Sequence, residues 1–155
     1  MPELAAAAWR VALPTDTVAK VWRGIVPLES TRADVIKLLG EPRSTGGYDL
    51  GDQFVVIHYS SGDCTAEIHC ECLVGPDVVT EIEVTIKTEL PLNQLNLDLS
   101  SFKKSRDSHL LVYDYYTNRK EGVTYTVFRE EARVTVITYY PSEKDCKRLL
   151  RRKKS

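Results

Sequence analysis

Between Val78 and Glu89 apolar and polar side chains alternate with a period of two, Ile82, Val84 and Ile86 against Glu81, Glu83, Thr85 and Lys87. A strand sends successive side chains to opposite faces, whereas on a helix this spacing would scatter the apolar groups around the cylinder. The pattern therefore calls for a strand with one buried and one wet face, as in an antiparallel sheet. Further strands are expected at Phe54–Tyr59, apolar on both faces, and at Leu110–Tyr116, Val123–Phe128 and Val134–Tyr140. Thr65–Cys72 also alternates, with Ala66, Ile68, Cys70 and Cys72 opposite Glu67, His69 and Glu71. Ser61-Gly62-Asp63, Gly75-Pro76-Asp77 and the run 117–122 supply turns.

Helical signals precede this region. Residues 3–13 are alanine-rich and end at Pro14, and a short turn capped by Thr15 or Asp16 runs on to Gly24. The best-defined helix is expected over 31–39. Thr31 and Asp34 form a capping-box pair, Val35, Ile36, Leu38 and Leu39 make an apolar stripe, and Gly40 with Pro42 ends it. Residues 91–108, with Leu92, Leu95, Leu97, Leu99 and Phe102, read as a packed excursion of undetermined type. Pro141-Ser142-Glu143 begins a last short helix. The expected architecture is one α+β domain over 1–155, with N-terminal helices packed on an antiparallel sheet of about five or six strands. Residues 1–14 read as a leader remnant or helix, and 147–155 as a basic tail.

A chain of 155 residues with 43% hydrophobic and 28% charged side chains can bury a core, which excludes a disordered or fibrous protein. No apolar run reaches the roughly 18 residues of a membrane span. The net charge of −1 conceals a division. Residues 1–142 hold 14 basic and 20 acidic side chains, whereas 143–155 hold 7 basic and 2 acidic. Residues 45–100 carry ten acids against Lys87 alone, so no nucleic-acid partner is expected. The basic end, Arg151, Arg152, Lys153 and Lys154, suits weak contact with an anionic surface. Met1–Trp9 lacks the basic start and leucine-rich centre of a secretory leader. The expected location is extracytoplasmic (periplasm or secreted) if a leader was removed, and cytoplasmic otherwise.

The stretch Trp22-Arg23-Gly24-Ile25-Val26-Pro27-Leu28-Glu29-Ser30-Thr31-Arg32-Ala33-Asp34-Val35, ending Leu38-Leu39-Gly40-Glu41-Pro42, resembles a group of uncharacterised exported bacterial proteins. That likeness extends through Ser60–Cys64 and Lys87–Leu90 to Asp145-Cys146. The shorter pattern of capped helix, Leu-Leu-Gly, one residue and Pro is similar to the small outer-membrane lipoproteins of the SmpA/BamE-like fold. The resemblance implies an extracytoplasmic protein with a binding or assembly role, and brings no catalytic residues. The chain departs from the lipoproteins in having no lipidation cysteine near its start and an additional hairpin.

Four cysteines allow three pairings. On a strand, Cys70 and Cys72 would stand parallel, which disfavours a bridge between them. The resemblance implies a Cys64–Cys146 disulfide. Cys64, Cys70 and Cys72 with His58 or His69 form an alternative zinc or thiol-redox set, although without a Cys-x-x-Cys knuckle. His58, Asp63 and His69 are the residues an enzyme or ligand carrier would use in a cavity between sheet and helices. Tyr113, Tyr115, Tyr116 and Tyr139 are the candidate patch for a protein partner or self-association. No phosphate loop, dinucleotide fingerprint or nucleophile elbow is present, so no cofactor is expected. The favoured function is non-enzymatic protein binding or self-association.

Overall fold

The computed structural model describes residues 22–43, 46–62, 70–109 and 111–154. Seven antiparallel strands form one sheet: β1 (Gly47–Asp49), β2 (Gln53–Tyr59), β3 (Val79–Ile86), β4 (Lys103–Arg106), β5 (Tyr113–Asn118), β6 (Val123–Phe128) and β7 (Arg133–Tyr139). Their spatial order is β1-β2-β3-β7-β6-β5-β4. Two meanders, β1 to β3 and β4 to β7, thus meet along the β3–β7 pairing. Helix α1 spans Arg32–Leu39 and helix α2 spans Glu143–Lys154.

The expectation of N-terminal helices over five or six strands does not hold. The sheet has seven strands, and among the described residues the only helix before it is the eight-residue α1. The helix expected at 3–13 lies outside the described residues. Of the α1 stripe, Val35 is fully buried while Leu38 is 55% exposed. The core face is covered largely by irregular segments instead. Trp22, Ile25 and Leu90 belong to the buried cluster, and Leu92, Leu95 and Phe102 pack against it partly buried. From the sheet, Tyr48, Val55, Ile82, Val84, Val123, Val127, Val134 and Ile137 contribute to the same cluster.

Local chemistry explains the surviving helix. Thr31 caps α1, its hydroxyl accepting from the Asp34 N–H while the Asp34 carboxylate accepts from the Thr31 N–H. The Thr31 N–H and the Thr31 hydroxyl, both donating to the Asp34 carboxylate, hold it below its usual pKa. Arg32 fixes the helix to the turn before β3, pairing with Asp77 at 2.9 Å and stacking 4.0 Å from the centre of the Tyr59 ring. Gly40, at φ +82°, closes the helix as expected. No described helix is long and apolar enough to cross a membrane.

Candidate functional site

Because β2, β3, β7, β6 and β5 pair in register, the outward residues fall into rows on the face opposite the core. One row runs Phe54, Thr85, Val136, Thr126, Tyr115, and the next Val56, Glu83, Thr138, Thr124, Thr117. These side chains are half-buried. The Thr117 and Thr124 hydroxyls hydrogen-bond across the strands at 3.2 Å. α1 buries Val35 on the opposite face, and the main contact of α2 is the 3-10 turn Cys70–Leu73.

His58 lies on this open face, directly opposite Glu81 and beside Glu83. Its Nε2 is 3.9 Å from the Glu81 carboxylate. One ligand atom from each of His58, Glu81 and Glu83 lies within 4.8 Å of the others, a set chemically able to hold a divalent cation. The expected companions of His58, Asp63 and His69, lie outside the described residues. Glu81 and Glu83 take that place, brought there by the β2–β3 register. Tyr140 lies on the same face. Burial raises its pKa, with the Glu81 charge adding to the effect and the Thr124 hydroxyl and Arg119 opposing it.

The four-tyrosine patch divides between the two faces. Tyr113 and Tyr115 are outward, Tyr113 meeting Phe128 edge-on at 5.9 Å and Tyr115 donating to the Asp107 carboxylate at 2.9 Å. That hydrogen bond, together with burial, raises the Tyr115 pKa. Tyr116 instead packs against the core, and Tyr139, 3% exposed, belongs to it. Two tyrosines adjacent along a strand cannot share a face. Burial also raises the pKa of core-side Tyr125 to about 12.

Asp114 follows the same alternation inward and ends as a buried carboxylate, its side chain 6% exposed. Arg129 reaches it through Nε and Nη2 at 3.2 and 3.1 Å. Lys104 and Arg106, on edge strand β4, stand 3.7 and 3.8 Å away. Burial pushes the carboxyl pKa up, but the Arg129 hydrogen bonds and the three cations outweigh it and hold it below the ordinary value. The folded carboxyl therefore releases its proton more readily than the unfolded one. Its stabilisation is complete above about pH 3.9 and is lost as pH falls through the lower folded pKa. Asp114→Asn should cost about 2 kcal/mol at neutral pH. Urea titrations from pH 2 to 7 would show a shallower acid limb in the variant, and identical limbs would refute the assignment.

The structure joins Cys146 to Cys70, with Cα atoms 5.0 Å apart, rather than to Cys64. Cys64 lies outside the described residues. Cys70 sits in a 3-10 turn, Cys70–Leu73, and not on the expected strand, so its side chain is free to meet α2. With Cys70 oxidised, the three-thiolate metal set of Cys64, Cys70 and Cys72 cannot form. Ser142 caps α2, accepting from the Asp145 N–H at 3.1 Å, and Arg148 ties the helix to Glu29 at 3.0 Å. The basic residues Arg151 to Lys154 continue this helix.

Neither the family models, the curated proteins nor the solved structures contain a match to this chain.

Proposed function

We propose that this protein is a non-enzymatic bacterial binding domain of an oxidising, extracytoplasmic compartment, engaging a protein partner or a second copy through the open face of its sheet. The observation that carries the reading is the inequality of the two faces. One is filled by the core, while the other presents Tyr113, Tyr115, Phe128, Val136 and rows of threonine at half exposure. Aromatic groups with adjacent hydroxyls suit a protein interface. The Cys70–Cys146 bridge supports the compartment, since disulfides persist where thiols are not kept reduced. The resemblance to exported proteins points the same way.

A photoreactive phenylalanine analogue placed at Thr126 or Tyr113 in living cells should give discrete adducts with this chain or with one other protein. The same probe at Lys37, exposed on α1, should give none. Smears at every position, or no adduct from the sheet, would sink the interface. Alkylation of Cys70 and Cys146 in the same cells without reductant would sink the compartment assignment.

A further inference from the structure

Helix α2 carries Lys144, Lys147, Arg148 and Arg151 at i, i+3, i+4 and i+7, which aligns four cations on one stripe. The β5–β6 hairpin tip stands against its first turn, where the Arg119 carbonyl accepts from the Glu143 N–H at 3.1 Å. Lys120 of that tip and the four helix cations line a hollow of about 580 Å³. A second hollow of about 450 Å³ adjoins it through Glu143 and Lys147, walled by Arg119, Tyr140 and Pro141. Glu143 is the only acid among the described residues lining either hollow. Arg148 is paired with Glu29 and Asp145, but Lys120, Lys144, Lys147 and Arg151 have no ion-pair partner among the described residues. Like charges at these spacings repel one another, so this trough is held cationic at a cost that an anionic occupant would relieve.

We propose that the trough docks a short acidic polypeptide segment in extended form, its carboxylates on the cations and one apolar side chain against Tyr140 and Pro141. The helix stripe covers about 10 Å, which suits about three residues of extended chain. A concave site suits a flat bilayer poorly. The composition of residues 45–100, ten acids and one base, also disfavours a long nucleic-acid or polyphosphate chain. This site lies on α2 and the hairpin tip and does not depend on the open-face reading.

The test is fluorescence polarisation with a labelled peptide of alternating Glu and Asp around one Phe, titrated with the intact oxidised protein. Saturable binding is expected at ~20 mM salt, weakened at least about tenfold at ~300 mM. The triple variant Lys144→Glu/Lys147→Glu/Arg151→Glu should lose at least about tenfold in affinity. Lys120→Glu, on the hairpin, should weaken binding in the same direction without touching the helix. Lys103→Glu, exposed on edge strand β4, should stay within about twofold of wild type, and each variant should keep the wild-type circular dichroism spectrum. Absence of saturable binding at low salt, or equal loss in Lys103→Glu, would overturn the proposal. So would capture of polyphosphate or of phosphatidylglycerol vesicles in place of the peptide.

Discussion

Cys146→Ala should lower the free energy of unfolding by about 4 kcal/mol. The bridge joins residues 76 apart, and cross-linking a loop of that size removes about this much conformational freedom from the unfolded chain. The folded state loses something as well. The bridge holds α2 to the turn Cys70–Leu73, leaving Ser142, the Glu143 bond to Arg119 and the Arg148–Glu29 pair to keep the helix in place. An exposed pair of that kind contributes at most about 1 kcal/mol. The melting temperature should therefore fall, and amide protection over 146–152 should fall further than protection in β3 and β7. Reductant should reproduce both changes in wild type and add little in the variant. A melting temperature unchanged by mutation and by reductant would show that the bridge carries no stabilising load.

Gly122→Ala should be the next most damaging change, at about 3 kcal/mol. Gly122 adopts φ +72°, which costs a residue with a side chain about 1–2 kcal/mol. A Cβ at this position would also run into the Tyr140 carbonyl oxygen and stand 3.0 Å from the Ser142 nitrogen. Those neighbours are backbone and cannot swing aside. Gly122 is moreover hydrogen-bonded on both sides, its N–H to Asn118 and its carbonyl to the Tyr140 N–H, each at 2.9 Å. Relief would move the hairpin away from the start of α2. Gly24 provides the control, at φ +85° with no neighbouring atom within 4 Å of the place a Cβ would take. Gly24→Ala should cost only the conformational part, about 1 kcal/mol. Equal losses in the two variants, measured by urea unfolding, would dismiss the close approach as the cause.

The central strands were legible because their burial repeats every second residue. The alternation from Val78 to Glu89 contains β3, and its inward set Ile82, Val84 and Ile86 is buried. The capping pair Thr31 and Asp34 marked α1 to within a residue. The edges were not legible. β4 is Lys103-Lys104-Ser105-Arg106, exposed at every position, and β1 has three residues. β1 is too short to show a period although Tyr48 is buried, and a charged edge such as β4 discourages pairing between molecules without leaving a hydrophobic pattern. Helix propensity near the start of the chain suggested a helical layer, but much of the core face is covered by loops whose apolar residues follow no period.

The candidate sites were legible in part for the same reason. His58 stood out in the sequence, but as a candidate for a cavity between sheet and helices; the structure puts it on the open face, where Glu81 and Glu83 become its neighbours only through the pairing of β2 with β3. Density along the chain groups the tyrosines together, but Tyr115 and Tyr116 point to opposite faces. Asp114, set among tyrosines, is an acid at an inward position, and its Arg129 partner needed the β5–β6 register to be found. The pairing of Cys70 depended on a turn that its alternating neighbours concealed.

The strand order also bears on how the chain reaches this state. Within each meander, neighbouring strands are close in sequence and can pair as soon as their turns form. β3 and β7 are different, since Glu83 meets Thr138 across 55 residues. Closing so wide a loop is entropically unfavourable, so the two meanders are set to organise separately, with their junction as the late cooperative step. The Cys70–Cys146 bond spans the same junction. Once oxidised, it shortens the effective loop between β3 and β7, so the central pairing re-forms at a lower entropic cost than in the reduced chain.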